Sequence, residues 1–213
     1  MNRASLAVLI EKLRRFFLDQ SSESYLVGGG LRDLLRGQPP QDLDLAIQGE
    51  ATPIARRLAD ILGGSFATLR QEKGVARVIL PAAAHAGLVI DIAAIRNGKI
   101  LDDLARRDFT INALALRLED MPPWPEEPAR SSWNAQPVLI DPLHGLRDLQ
   151  QHILRAVQAG IFHDDPLRLL RAIRIAHRLQ FRLARSTSAL LQQDAPLLIH
   201  AAPERIRDEL LHI

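Results

Sequence analysis

Two aspartates alternate with leucines at the start of a predicted strand that runs from Asp42 to Ile47. Because residues i and i+2 of a strand share a face, the carboxylates of Asp42 and Asp44 project together while Leu43 and Leu45 point into the core. Adjacent carboxylates repel each other unless a cation lies between them, and ligand sets made only of oxygen favour Mg²⁺. The pair therefore predicts a magnesium site. The alternative is a pair of solvated aspartates on an edge strand.

A third acid, Asp91, lies within the otherwise apolar predicted strand from Leu88 to Ala93. A lone charge in such a strand is costly without a partner. If this strand lies beside the one that carries Asp42, three carboxylates come together. Three acids and two magnesium ions are the apparatus of in-line phosphoryl transfer. The alternative is a buried, hydrogen-bonded residue with a purely structural role.

Three glycines, Gly28 to Gly30, follow the predicted strand Ser24 to Val27 and precede a short predicted helix, Leu31 to Leu35. The free N–H groups of a helix start bind phosphate, and glycine lets the backbone approach it closely. The segment is not a Walker loop, because no Gly-Lys-Ser/Thr follows. It also lacks the dinucleotide fingerprint, because Asp33 stands where the third glycine would be. The alternative is a plain structural turn.

Two further segments carry groups that suit a nucleotide. Arg106, Arg107 and Asn112 lie near a predicted helix start and suit a triphosphate and a sugar hydroxyl, although a salt-bridged helix cap would look the same. Asp164 and Asp165 form an acidic N-cap before Pro166, which opens a predicted helix to Leu179.

Along that second helix, arginines recur every three or four residues within one arc. They are Arg168, Arg171, Arg174, Arg178 and Arg182. Such a stripe is either a solvated face or a surface for a polyanion. Asp165 and Arg168 are close enough, at i and i+3, to present an acceptor and a donor to one base edge, or to form a surface ion pair.

The elements that must position these residues are those of an α+β chain. Hydrophobic spacing predicts a first helix from Leu6 to Phe17, then strands and short helices, and a mostly helical part from Gly145 onward. The Pro-rich segment from Met121 to Gln136, with Trp124 and Trp133, is predicted to be a surface loop.

Composition excludes several classes of protein. The chain has 213 residues, enough for one large domain or for one domain and part of a second. It has no cysteine, which excludes disulfides and thiolate zinc sites. No run of apolar residues is long enough to cross a membrane, and the N-terminus is not that of a secretory signal, so we expect a cytoplasmic protein. Of 27 cationic residues, only Lys12, Lys73 and Lys99 are lysine. Arginine is the better bidentate partner for phosphate, although a GC-rich genome would give the same bias.

Together these segments resemble the class II tRNA nucleotidyltransferase and bacterial poly(A) polymerase family, of the DNA polymerase beta superfamily. The resemblance runs from about Tyr25 to the C-terminus. It is carried by the segments Leu26 to Asp33, Asp42 to Asp44, Arg106 to Ala113, Asp141 to Leu149 and Asp164 to Arg168, and the segment Pro203 to Leu210 looks like the family's later neck motif.

The resemblance implies an α+β fold in two domains. Residues 1–142 would form a nucleotidyltransferase head with a mixed, largely antiparallel sheet flanked by helices. Residues 143–213 would form an all-helical neck that recognises the base. The body and tail domains that bind tRNA in this family lie outside the chain, so we interpret the chain as part of a longer protein.

The resemblance also assigns the site residues. Asp42 and Asp44 would hold magnesium, two ions being expected, with Asp91 as a third catalytic carboxylate. The residues expected to bind the nucleotide are Gly28, Gly29 and Arg32 at the triphosphate, Arg107, Asp108 and Asn112 near the sugar, and Asp165, Arg168, Arg171 and Arg174 on the base-recognising helix.

Two departures from the family pattern bear on the reaction. The base-recognising motif begins with Asp164 where the family usually has glutamate. The connection from Asn97 to Ala105 has only nine residues, whereas family members that complete CCA carry a longer flexible loop there. The short connection is typical of the CC-adding branch.

The predicted function is that of a template-independent RNA nucleotidyltransferase. It would add CMP, or CMP and AMP, from CTP and ATP to the 3′ end of tRNA, with no membrane partner. The alternatives are an A-adding enzyme or poly(A) polymerase, a non-catalytic RNA-binding remnant, and a nucleotidyltransferase that acts on small molecules.

Overall fold

The computed structural model describes residues 3–20, 23–70, 74–95, 98–123 and 138–212. The chain forms two compact units. The first comprises Met1–Asp103 and Leu114–Ile140, and the second comprises Leu104–Ala113 and Asp141–Ile213. Trp124, Trp133 and Asn97 lie outside the described residues, so the predictions made for the Pro-rich loop and for the whole nine-residue connection are not addressed by the structure. No helix in the described ranges is both long and apolar enough to span a membrane.

The first unit consists of a sheet and its flanking helices. In chain order its elements are α1 (Arg3–Leu18), β1 (Ser24–Val27), α2 (Gly28–Leu35), β2 (Asp42–Ile47), α3 (Ala51–Leu62), β3 (Ser65–Arg70), β4 (Val75–Ile79), α4 (Ala82–His85), β5 (Val89–Ala94), α5 (Ile100–Leu104), β6 (Ala115–Arg117) and β7 (Leu139–Ile140). The last residue of α5 falls in the second unit.

The seven strands are arranged in the order β3-β4-β5-β2-β1-β6-β7. Only β2 and β5 pair in parallel, and the other neighbours are antiparallel. The predicted mixed, largely antiparallel sheet with flanking helices is therefore confirmed. The long connection from β2 to β5 passes through the β3–β4 hairpin, which is why strict strand–helix alternation is absent.

One face of the sheet is apolar and buried. Its central side chains are Leu43 and Leu45 on β2, Ile90 and Ile92 on β5, and Ala76 and Val78 on β4. Helix α3 packs against β3, β4 and β5. Because side chains alternate along a strand, the residues between these apolar positions project from the opposite face.

Helix α2 lies very close to β2. A Cβ atom built on Gly30 would stand 2.5 Å from the backbone carbonyl oxygen of Asp42. No side chain fits at that distance, so Gly30 is required for the close approach of the helix to the strand that carries the two aspartates.

The second unit is mostly helical. Its elements are a 3₁₀ turn (Thr110–Asn112), α6 (Gly145–Gln150), β8 (Ile153–Leu154), α7 (Ile161–Asp164), α8 (Arg168–Leu179), β9 (Arg182–Leu183), α9 (Arg185–Asp194), a second 3₁₀ segment (Ala195–His200) and α10 (Pro203–Leu210). Strands β8 and β9 pair in parallel. The second part was expected to be all-helical, and the structure shows that it also contains this one short strand pair among its described residues.

Residues 104–113 belong to the second unit because their buried polar groups are bonded there. The Oγ1 atom of Thr110 donates to Asp148 at 2.7 Å, and Asp108 accepts two bonds from Arg171. Asp148 also binds Arg155 through both carboxylate oxygens, at 2.9 and 3.1 Å. The predicted domain boundary between residues 142 and 143 would place residues 104–113 in the first domain, whereas the structure places them in the second compact unit. The division into a head domain and a neck domain remains a prediction.

Candidate active site

Three charged side chains form a row across neighbouring strands of the first unit. Asp44 on β2 is the register partner of Asp91 on β5, and Asp91 is in turn the partner of Arg77 on β4. Directly paired residues share a face of the sheet, and Asp42 shares it with Asp44. Asp42 is exposed and Asp44 half-buried, while Leu43 between them is buried. The predicted orientation of the two aspartates, and the predicted placement of the Asp91 strand beside them, are thus observed.

Arg77 binds Asp91 through both carboxylate oxygens. The Nε and Nη2 atoms of Arg77 each lie 2.7 Å from an oxygen of Asp91. The hydrogen bonds to Asp91 raise the pKa of Arg77 most, burial lowers it, and attraction by Asp91, Asp42 and Asp44 raises it further. The guanidinium is therefore a fixed positive charge within the acidic row. Asp91 is therefore a paired carboxylate, with both of its oxygens bound to Arg77.

The donor set suits a divalent cation at Asp42 and Asp44. Two carboxylates on one strand face, one of them exposed, supply oxygen ligands and leave space for water and phosphate, as Mg²⁺ requires. Among the described residues, no three His, Cys, Asp or Glu side chains are grouped so that together they could hold a metal ion. This agrees with the bidentate ion pair, which engages Asp91 with Arg77.

The glycine segment begins beside the acidic row. Val27, the last residue of β1, is the register partner of Asp44, and α2 starts at the next residue, Gly28. The glycines are thus the first turn of the helix, whereas the sequence predicted a turn before it. Gly28 has a positive φ of 73°, which favours glycine. The free N–H groups of this first turn follow directly on the strand next to β2.

Arg32, predicted at the triphosphate, is a buried side chain on α2. Its Nε and Nη2 atoms each lie 2.9 Å from Oδ1 of Asp33. A Cβ atom on Gly29 would stand 3.4 Å from Nη2 of Arg32, so the guanidinium lies against the first turn of the helix. Arg32 therefore places a guanidinium, paired with Asp33, next to the free N–H groups.

Asp108 is the buried centre of a hydrogen-bond network in the second unit. It accepts from the backbone N–H of Phe109 at 2.8 Å, from Nδ2 of Asn112 at 3.0 Å, and from Arg171 at 2.8 and 3.2 Å. Burial raises the pKa of Asp108, but Arg171 and these hydrogen bonds outweigh it, so the pKa lies below its ordinary value. Asp108, Asn112 and Arg171 are thus brought together, and Arg107 precedes them on the same segment.

Asp165 and Arg168 have separate partners. Oδ2 of Asp165 accepts from Arg205 of α10 at 3.0 Å, and Oδ1 accepts from the N–H of Leu167 at 3.2 Å. Arg168 donates to the carbonyl oxygens of Arg106, at 2.9 Å, and Ile161, at 3.3 Å. The alternative interpretation of an i,i+3 ion pair between the two is therefore not what the structure shows.

The predicted start of the arginine-bearing helix at Pro166 needs correction, although Asp165 does accept from the N–H of Leu167 as an N-cap carboxylate would. Helix α8 begins at Arg168, and Asp165 follows the end of α7 with an extended backbone, φ −151° and ψ 102°. A residue that precedes proline is driven toward this extended region, so Asp165 cannot continue a helix into Pro166.

Most of the arginine stripe has partners within the second unit. Arg174 binds Glu209 of α10 through Nε at 2.6 Å and Nη2 at 3.3 Å, and both side chains are largely buried. Together with Arg168 and Arg171, it fixes α8 against its neighbours. The interpretation of these three positions as a solvated face is wrong.

The sequence from residue 24 to residue 155 matches the family described as the poly(A) polymerase head domain. That match covers more than half of the chain, and it includes the acidic row and the glycine helix. The chain belongs to this family. Nucleotidyltransferases of the family use divalent metal ions.

Relatives with curated names include CC-adding, A-adding and CCA-adding enzymes. A CC-adding tRNA nucleotidyltransferase of Geobacter sulfurreducens is 40% identical over 190 residues, which are 89% of this chain and 40% of the relative. An A-adding tRNA nucleotidyltransferase of Halalkalibacterium halodurans is 36% identical, over 95% of this chain and 47% of the relative. The chain spans less than half the length of these relatives.

Solved structures of similar fold include complexes with nucleotide and with tRNA. A CCA-adding enzyme with CTP matches with a TM-score of 0.78 at 32% identity, over 100% of this chain and 50% of that one. A tRNA nucleotidyltransferase with a primer tRNA and an incoming ATP analogue matches with a TM-score of 0.73 at 31% identity, over 93% and 54%.

Sequence reasoning missed two ion-pair partners in this family member. Arg77 alternates with buried Ala76 and Val78, so its position on the exposed face was accessible from the pattern, but its pairing with Asp91 depends on strand order. Glu209, the partner of Arg174, lies 35 residues along the chain, and no local spacing relates the two.

Proposed function

We propose that the chain is the catalytic part of a template-independent RNA nucleotidyltransferase that adds CMP, or CMP and AMP, to the 3′ end of tRNA. The observation that carries this proposal is the common face of Asp42 and Asp44 beside the first turn of α2, in a chain that belongs to the poly(A) polymerase head-domain family. The proposed partners are CTP, ATP and the tRNA 3′ end, and the proposed location is the cytoplasm.

In the proposed reaction, the 3′ oxygen of the RNA attacks the α-phosphorus of the nucleotide. A new phosphorus–oxygen bond forms, the bond to the β-phosphate oxygen breaks, and pyrophosphate leaves. Asp42 and Asp44 would hold Mg²⁺, two ions being proposed, with Asp91 as the third carboxylate of the row. When bound, magnesium lowers the pKa of the attacking hydroxyl and offsets charge in the transition state.

The chain's own groups bind and orient the nucleotide. The free N–H groups of Gly28 and Gly29, at the positive end of α2, face negative phosphate oxygens, and Arg32 adds a guanidinium there. Asp33 fixes the direction of Arg32 through its 2.9 Å contacts.

In the second unit, we assign base recognition to Asp165 and Arg168, supported by Arg171 and Arg174, and sugar recognition to Arg107, Asp108 and Asn112. Cytosine and adenine each offer an amino donor beside a ring-nitrogen acceptor. A carboxylate and a guanidinium complement that edge and mismatch uracil and guanine. Binding of a base would require Asp165 to exchange its contact with Arg205 for one with the amino group.

The relatives favour a second candidate within the same chemistry. A-adding and CC-adding enzymes match the chain at similar identity, so addition of AMP alone, as by an A-adding enzyme or a poly(A) polymerase, is the alternative. A non-catalytic RNA-binding remnant is the alternative of a different class. The paired Asp42 and Asp44 argue against it, because a remnant has no use for adjacent carboxylates.

The test is a turnover assay with a tRNA that ends before its CCA, each labelled nucleotide being supplied singly with Mg²⁺. Incorporation of CTP alone supports CC addition, and incorporation of ATP alone supports the A-adding candidate. The matched control is the double variant Asp42→Asn/Asp44→Asn, which keeps side-chain size and removes both charges. Equal incorporation by the wild type and this variant would refute the proposed mechanism, and no incorporation by the wild type would favour the remnant.

A further inference from the structure

Among the arginines of the second unit, three that line cavities lack the internal partners that Arg168, Arg171 and Arg174 have. They are Arg147 on α6, Arg182 on β9 and Arg185 at the start of α9, and all three are exposed. Within the described part of the chain, no ion pair involves any of them. They are therefore cations that the fold does not use for its own stability.

These arginines line two cavities that share one residue. A cavity of about 630 Å³ is lined by Arg155, Arg182 and Arg185 with the apolar parts of β8 and β9. A second cavity, of about 260 Å³, is lined by Arg147, Arg155 and His144. Because Arg155 lines both, the two cavities adjoin at this residue, and we call the surface that they form together the Arg155 surface.

The charge of the Arg155 surface is strongly positive. Among the described residues, the one acidic side chain that lines either cavity is Asp148, and both of its oxygens already accept hydrogen bonds from Arg155. Asp148 thus balances Arg155 and leaves Arg147, Arg182 and Arg185 uncompensated. Concentrated positive charge in a concave surface attracts anions.

The strand pair explains why these residues meet. Ile153 and Leu154 of β8 are the register partners of Arg182 and Leu183 of β9, and the N–H of Ala184 donates to the carbonyl of Leu154 at 2.9 Å. Arg155 directly follows β8 and Arg185 closely follows β9, so both lie at the carboxyl end of the same parallel pair. The surface is thus built on paired backbone and not on a loose loop.

We propose that the Arg155 surface binds the phosphate backbone of RNA. Guanidinium groups bind phosphate in a bidentate manner, and two adjoining basic cavities accommodate more than one phosphate, which a single small anion would not fill. This inference rests on the proposed function, which makes a tRNA the acceptor. It assigns to the RNA a site that is separate from the acidic row and from the base-recognising residues.

The test is RNA binding without catalysis. A fluorescein-labelled tRNA that ends before its CCA is titrated with the 213-residue chain in EDTA, without nucleotide, between 50 and 200 mM NaCl. The variants are Arg182→Ala/Arg185→Ala and the charge-keeping Arg182→Lys/Arg185→Lys. The control is Arg178→Ala, which removes an exposed arginine that lines neither cavity.

We expect the alanine pair to weaken binding by roughly tenfold or more at 50 mM NaCl and to reduce the slope of log K against log salt by about 1 to 2. The lysine pair should keep most of the slope, and Arg178→Ala should bind within about twofold of the wild type. Thermal unfolding checks that the alanine pair is folded. If it is not, the lysine pair takes its place in the comparison. The lysine pair should bind RNA more weakly than the wild type, because lysine cannot make bidentate contacts to phosphate, and should keep the slope of log K against log salt.

Three outcomes would overturn the inference. The first is that the wild type does not bind RNA. The second is that the alanine pair and Arg178→Ala bind RNA equally well. The third is that the alanine pair loses as much affinity for a labelled polyglutamate peptide as for RNA, which would assign the surface to an acidic protein. The proposed function fails separately. If the wild type binds RNA and the alanine pair shows the expected loss of affinity and slope, but the wild type transfers no nucleotide, the surface stands and only the catalytic proposal is refuted.

Discussion

Arg77 and Asp91 face each other across β4 and β5 with two 2.7 Å contacts, one strand away from Asp44. The guanidinium takes up the charge of Asp91 and turns both of its oxygens toward β4. As a result, Arg77 already offsets the charge of Asp91, and the acidic residues on β2, beside the glycine helix, are Asp42 and Asp44. The ion pair thereby sets how strongly this face of the sheet attracts a cation.

Removal of Arg77 should tighten metal binding. In Arg77→Gln, a positive charge close to Asp42 and Asp44 is lost, so Mn²⁺ should bind about 3- to 10-fold more tightly. Asp91→Asn leaves that positive charge uncompensated and should weaken binding. Electron paramagnetic resonance of free Mn²⁺, measured without nucleotide, reports both changes. Identical Mn²⁺ affinity in Arg77→Gln and the wild type would contradict this assignment.

Loss of either strand carboxylate should abolish transfer and spare the fold. Asp42→Ala and Asp44→Ala should each lower the rate of nucleotide incorporation by ~10²-fold or more, because a ligand of the metal site is removed. Melting temperatures should stay close to that of the wild type, since Asp42 is exposed and Asp44 only half-buried. Single-turnover kinetics with labelled CTP and ATP measure the first effect. A double alanine variant with the wild-type rate would refute the metal site.

Gly30→Ala should disturb both stability and transfer. Its added methyl group would stand 2.5 Å from the carbonyl oxygen of Asp42, so α2 or β2 must shift, at a cost of about 1–3 kcal/mol. The matched control is Gly160→Ala, where nothing lies within 4 Å of the added atom and φ is an ordinary −80°. Urea unfolding and incorporation assays compare the two. Equal stability of both variants would show that the helix does not need to lie this close to the strand.

The buried network at Asp108 should make stability depend on pH in the acid range. Because the folded pKa of Asp108 is lowered, its contribution is fully present above the unfolded value, about 3.9, and is lost as pH falls through the lower folded pKa. At pH 7, Asp108→Asn should reduce the free energy of unfolding by about 3 kcal/mol, because Arg171 loses its buried partner. Urea unfolding from pH 7 down to pH 3 should give a smaller acid loss for the variant than for the wild type. Parallel profiles would contradict the role of Asp108.

Nucleotide selectivity should depend on Asp165 and Arg168. Alanine at either position should reduce discrimination against UTP and GTP by about 5- to 150-fold, equivalent to the roughly 1–3 kcal/mol cost of an unpaired polar group. Incorporation of all four nucleotides, each supplied singly, measures this. The useful comparison is Arg205→Ala, which removes the contact that holds Asp165 without removing the carboxylate. Unchanged selectivity in both alanine variants would place base recognition elsewhere.

The part of the acidic row that depends on the period-two alternation of residues along one strand was predictable from the sequence. The bounds of β1 and β2 agree with the predicted ranges. In β2 aspartates and leucines alternate with a period of two, whereas all four residues of β1 are buried and show no alternation. Alternation also predicted the common face of Asp42 and Asp44. It could not predict that Arg77 engages Asp91, because that contact requires β4 to lie beside β5, and strand order is a property of the whole sheet.

For α8, the helix that carries the arginine stripe, the sequence predicted the position of the helix but not the partners of its arginines. Its position was predicted within two residues, but the acidic partners of Arg174 and Arg171 lie 35 and 63 residues away in the chain. Helical spacing identifies which residues share a face and does not reveal what covers that face. The unpartnered arginines of β9 and α9 likewise emerge only when the internal ion pairs of the described residues are known.

The assignment of residues 104–113 to the second unit has a consequence for any attempt to divide the protein. The polypeptide passes between the units at residues 103–104, 113–114 and 140–141, so no single cut separates them. A recombinant fragment that ended at residue 142 would carry Asp108 and Thr110 without Arg171 and Asp148, which would leave a buried anion and a buried hydroxyl without their bonds. A gene fusion or a domain exchange at residue 142 would fail for the same reason. The two units must therefore be kept together in any recombinant protein.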